Sequence, residues 1–141
     1  MKYAGRMLVV TLTMLPMLAF GQLKPTEKIT ANVPFEFTVG NRILPAGQWT
    51  AERTLLNAKT LLIRNLDANV AVTSFTLPGE SKTEARSCAL VFTRYGDRYF
   101  LSGIKVEGDR ATYQIPETKA EAELRSENRP ASEEVIVASL K

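Results

Sequence analysis

The groups that could do chemistry in this chain are fifteen carboxylates and one thiol, because its 141 residues include no histidine. Without imidazole the commonest general base, the commonest metal ligand and every triad built on it fall away. A lone Cys88 cannot make a thiolate cage, and in the apolar run Cys88-Ala89-Leu90-Val91-Phe92 it reads as a buried small hydrophobe. The aspartates Asp67, Asp97 and Asp109 stand in turn-like sequence, where a short carboxylate bonds the local backbone. A glutamate pair could hydrolyse a glycoside if two carboxylates faced each other about 5–10 Å apart. The candidates are Glu80, Glu84, Glu121 and Glu123, in a charged connection and a polar helical stretch where solvation accounts for them. No Asp-x-Asp-x-Asp spacing offers a calcium loop. The expectation is therefore no catalytic residue, no metal and no cofactor.

Aromatic side chains are the remaining functional lead, since a set of rings can line an apolar pocket or stack on a sugar. The candidate ligand or interaction surface is Trp49, Phe92, Tyr95, Tyr99, Leu101 and Tyr113. The competing reading is that such rings fill the core of a small β domain. If the domain is hollow, Trp49, Phe92 and Leu101 become pocket lining.

These residues need elements to position them. Lys2 and Arg6, the apolar run from Met7 to Phe20 and the small-residue pattern Ala19-Phe20-Gly21 predict a signal peptide over 1–21, interrupted by Pro16 and too short to span a membrane. The expected mature chain, 22–141, is one β domain, exported to the periplasm or secreted. Losing Lys2 and Arg6 takes the formal charge from +3 to +1, and the basic residues form no stripe with interleaved aromatics, which argues against nucleic acid.

Short alternating segments separated by turn residues predict an all-β fold, an antiparallel sandwich or flattened barrel of about seven to nine short strands with one short C-terminal helix. Phe35 to Val39 puts Phe35, Phe37 and Val39 on one face, and Gly40-Asn41 turns it into Arg42-Ile43-Leu44. Leu44-Pro45-Ala46-Gly47 turns again, into Gln48–Leu55. Asn57-Ala58-Lys59 leads to Thr60–Arg64, and a loop at Asn65–Asn69 leads to Val70–Leu77, which Pro78 should end. The charged segment Gly79–Arg86 is expected to be the longest exposed connection and the most mobile one.

Ser87–Tyr95 and Arg98–Val106, joined by Gly96-Asp97, predict a hairpin with Phe92 opposite Leu101, Leu90 opposite Gly103 and Thr93 opposite Phe100. Gly108-Asp109-Arg110 should turn into Ala111–Ile115. Thr118-Lys119-Ala120-Glu121 is a helix-opening capping box, with Ala120 and Leu124 as the contact stripe of a helix through about Glu127. Val135–Leu140 reads as a last strand.

Ile29-Thr30-Ala31-Asn32-Val33-Pro34-Phe35-Glu36-Phe37-Thr38-Val39-Gly40-Asn41, Leu44-Pro45-Ala46-Gly47-Gln48-Trp49 and Arg94-Tyr95-Gly96-Asp97-Arg98-Tyr99-Phe100-Leu101, in that order, resemble a family of small, functionally uncharacterised exported β proteins of acidobacteria. Members often carry tyrosine where this chain has Trp49, so an aromatic is kept. The resemblance implies a bacterial envelope or secreted location and carries no activity.

Together these readings predict an exported, non-enzymatic binding or interaction module. The alternatives are a lipocalin-like carrier of a small apolar ligand and, third, a glutamate-dependent glycoside hydrolase. Expected partners are a protein, a glycan or a small apolar ligand, with no nucleic acid and no membrane span after signal cleavage.

Overall fold

The computed structural model describes residues 28–53, 59–65 and 67–140. The expected signal peptide and the residues Asn57 and Ala58 of one expected turn lie outside them. Among the described residues there are eleven strands and one helix, in a single mixed sheet that curls into a half-barrel.

β1 (Lys28–Val33), β4 (Gly47–Arg53), β5 (Thr60–Asn65) and β6 (Val70–Phe75) form an antiparallel wing. β8 (Cys88–Tyr95) and β9 (Arg98–Lys105) form the long hairpin of the other wing. β11 (Ala131–Leu140) joins the two, pairing with β8 over most of its length and with β1 through its last residues. The far edge of β9 is shared. β2 (Phe37–Val39) runs parallel to its first half, and β10 (Ala111–Gln114) runs antiparallel to its second. β3 (Arg42–Leu44) extends β2, and β7 (Leu77–Glu80) extends β10.

Alternation does the packing, because every second side chain of a strand shares a face. On the concave face Ile29, Val33, Trp49, Ile63, Phe92, Leu101 and Ile104 belong to one continuous core. Phe37 packs edge-on to both Trp49 (5.3 Å between centroids) and Phe92 (5.2 Å), so the β2 ring ties the two wings together. Cys88 is buried in this core, as its sequence neighbours implied.

The turn chemistry follows the sequence closely. Gly96 takes φ +63° between Tyr95 and Arg98, the first central position of the β8–β9 hairpin, where only glycine is free of steric cost. Asn65 Oδ1 accepts from the backbone amides of Asp67 (2.9 Å) and Ala68 (3.0 Å), and Asp109 Oδ1 accepts from that of Ala111 (2.8 Å).

Four expectations are corrected. The sheet is mixed, and it has more strands than the expected number. Phe92 does face Leu101 and Thr93 faces Phe100, but Leu90 faces Ile104 because a bulge at Val91/Phe92 shifts the register. The extra residue on β9 is Ser102, whose hydroxyl donates to Val91 O (3.0 Å), and the shift turns Ile104 into the core. Pro78 does not end a strand. It lies inside β7, which has β10 on one side only among the described residues, an edge where a missing N–H is harmless. Finally, the charged connection is partly anchored. Ser81 N donates to Arg110 O, Ala85 N to Asp109 O, and the Arg110 guanidinium to Lys82 O.

The helix α1 (Lys119–Ser126) forms as the capping box predicts. Thr118 Oγ1 accepts from Glu121 N (3.1 Å), and the Glu121 carboxylate in turn accepts from the Thr118 backbone N–H. Asn128 closes the other end at φ +55°, with Arg129 N donating back to Leu124 O. Leu124 and Ala120 rest on Tyr95 and Phe100, on the convex face of the hairpin.

Candidate functional site

The six residues singled out as a candidate surface do not converge. Trp49, Phe92 and Leu101 are core side chains, exposed by 1%, 0% and 3%. The Trp49 indole N–H donates to Pro45 O, so even its polar edge is used inside the fold. Tyr95 lies under the helix, edge-on to Phe100. Tyr99 closes one end of the half-barrel, stacked on Phe35 at 3.8 Å with the Arg94 guanidinium over its ring. Tyr113 lies on the concave side, with the Arg53 guanidinium 4.2 Å from its ring centre.

The glutamates also separate. Glu80 and Glu84 are exposed on β7 and the segment after it, whereas Glu121 and Glu123 lie on α1 near the turn end of the β8–β9 hairpin. Glu121 alone is buried. Burial pushes its carboxyl above the ordinary glutamate range, helped by the Glu117 charge and opposed by the Thr118 N–H and Arg125. The Tyr95 phenol is also raised, by burial first and then by Glu121 and Glu117.

A carboxyl raised in the fold contributes stability that is whole below the unfolded value, about pH 4.3, and is lost as the pH rises through the folded one. Glu121→Gln keeps an acceptor for the Thr118 N–H without the charge. It should therefore melt higher than the parent at pH 7, with the difference closing as the pH falls to about 4. Thermal melts across that range check this, and a gap that widens on acidification contradicts it.

What the structure does bring together is a trough on the convex face, between β10 on one rim and β11 on the other. Its floor is small, with Ala89 and Val91 from β8 and Ser102 and Gly103 from β9. Two clefts of about 300 and 330 Å³ share Lys105 and Thr112 and follow one another along it. Hydroxyls of Ser87, Ser102 and Thr112, the Gln114 amide, and the charges of Lys105 and Glu133 line the sides. On the β11 rim, Val135 and Val137 are turned outward, exposed by 46% and 68%.

Comparison with family models, with curated proteins and with solved structures finds no match. Function on such a fold is a property of this surface and its chemistry. Among the described residues no cluster of acids and thiol could hold a metal ion, and no helix is long and apolar enough to cross a membrane.

Sequence reasoning missed the trough because none of its residues is conspicuous alone. The available signal was Glu133-Glu134-Val135-Ile136-Val137. There Ile136 packs inward while Glu133, Val135 and Val137 face outward, so β-branched side chains reach both faces of a mid-sheet strand.

Proposed function

We propose that this chain is an exported, non-enzymatic interaction domain that docks a partner protein along the convex trough, with Val135 and Val137 as the apolar contact. The observation that carries the reading is the pair of branched aliphatics held in water on a rigid central strand beside an open, hydroxyl-lined trough. Singly exposed apolar residues are ordinary, but two in line beside a concave polar surface suit a protein partner, which covers the apolar strip and satisfies the rim. Charges of both signs along the trough, Arg86 and Lys105 against Glu84, Asp109 and Glu133, set the partner's orientation. The export signal and the resemblance to exported acidobacterial β proteins support a periplasmic or secreted setting.

A photoreactive residue at position 137, in the exporting cell, should yield one discrete cross-linked species that is not twice the chain's mass. Val135→Lys should abolish it while shifting the unfolding free energy by less than about 0.5 kcal/mol. A probe at exposed Glu123 should give none. No adduct at 137, or equal labelling at 137 and 123, would remove the reading.

A second reading, a carrier of a small apolar ligand, is favoured by one feature of the concave face. Ile29, Ala51, Leu61, Ile104 and Val106 line an apolar hollow beside Arg53 and Tyr113. The hollow holds about 10 Å³, room for one water molecule at most, so a ligand would enter only if that lip opened. Recurrent added mass in native mass spectrometry that vanishes on denaturation would favour this reading over the first.

A further inference from the structure

β6 is an edge strand built without the usual protections of an edge. Among the described residues it has a neighbour, β5, on one side only. Natural edges are blunted by charge, proline or a bulge. The run Val70-Ala71-Val72-Thr73-Ser74-Phe75-Thr76-Leu77 has no charge and no proline, its pairing with β5 is in register throughout, and Phe75 is 71% exposed.

The hydrogen-bond phase of the ladder says which backbone groups face outward. Thr76 N donates to Lys59 O, which makes residues 59 and 76 a hydrogen-bonded pair. Bonded pairs alternate along an antiparallel ladder, so Ser74, Val72 and Val70 point their amides and carbonyls at β5, while Phe75, Thr73 and Ala71 point theirs away. Two outside contacts agree with that phase. The Arg42 guanidinium reaches across from β3 to Ala71 O (3.3 Å), and the Ser74 hydroxyl turns to Phe75 O (3.3 Å).

We infer that the occupant of this edge is a second copy of the chain, paired antiparallel through β6 about a two-fold axis at Thr73. A two-fold contact sets the same strand against itself reversed, so it must be self-complementary. Centred on Thr73, it sets Thr73 opposite Thr73 and the exposed Phe75 ring opposite Ala71, large against small on the same face. The three outward residues exchange their amide and carbonyl bonds, and Thr–Thr is a favourable cross-strand pair. Arg64, the β5 neighbour of Ala71, then flanks the incoming Phe75 ring with a cation. No like charges meet. The displaced Arg42 bond is exposed and of little net worth.

Sedimentation equilibrium of the purified protein tests this, with a reversible monomer–dimer equilibrium as the expected result. Thr73→Lys and Thr73→Glu each place like charges opposite one another, so each variant should be monomeric; their equimolar mixture should recover the dimer as a heterodimer. In the parent, amide exchange at Ala71, Thr73 and Phe75 should slow as protein concentration rises, a readout that needs no substitution. A parent that stays monomeric at about 200 μM, well above the micromolar range of weak specific pairing, overturns the inference. So does a Thr73→Lys variant as dimeric as the parent, or a mixture that does not associate.

Discussion

Phe92→Ala should lower the free energy of unfolding by about 4 kcal/mol, the middle of the range for a buried phenylalanine cut to a methyl. Phe92 is wholly buried and lies edge-on to Phe35 at 5.0 Å and to Phe37 at 5.2 Å, so the deletion removes two ring contacts as well as area. It also empties a site that cannot easily collapse. The ring stands on a strand paired on both sides, by β9 and by β11, so its backbone is fixed. Since Phe37 couples this site to Trp49, the variant should lose cooperativity at β2 and β3 first, seen as faster amide exchange at Thr38 and Ile43. Denaturant unfolding checks the magnitude, and a loss below about 2 kcal/mol would mean the wings do not pack as described. Against a total of about 5–15 kcal/mol for a domain, such a variant is near its limit of folding.

Gly47→Ala should cost about 2–3 kcal/mol, unusually much for adding a methyl group. Gly47 opens β4 opposite Val33 with φ +149°, a conformation L side chains rarely adopt. There is also no free room. An added Cβ would stand 3.0 Å from Asn65 Nδ2, and Asn65 is a buried side chain whose oxygen holds the amides of Asp67 and Ala68. The alanine must therefore strain its own backbone or push out the residue that shapes the β5–β6 loop. Urea unfolding measures the cost, and faster exchange at the Asp67 and Ala68 amides would locate it. A change within about 0.5 kcal/mol would show that neither constraint acts.

The candidate surface illustrates why function was harder to see than fold. Rings are conspicuous in a sequence, and the six candidate residues are all apolar or aromatic. Three of them fill the core, and the other three are spread between the helix, the barrel end and the concave side. The trough instead draws on β8, β9, β10 and β11 and on the segment leading into β8, largely through small, hydroxyl and charged side chains. A surface assembled from long-range pairings leaves no local spacing to read.

What the sequence determined by itself was everything governed within a few residues. Gly96 sets its turn, Asn65 and Asp109 bond their own backbones, Thr118 and Glu121 cap one helix, and alternation sorts Phe37, Val39 and Trp49 inward. These are local steric and hydrogen-bonding choices, made by the residues concerned. Only the tertiary structure decided the bulge at Ser102, the parallel contact of β2 with β9, the tolerance of Pro78 inside β7 and the central place of β11. Each depends on which strand arrives alongside, and that is settled by burying the whole concave face at once, a free energy shared by residues far apart in the chain.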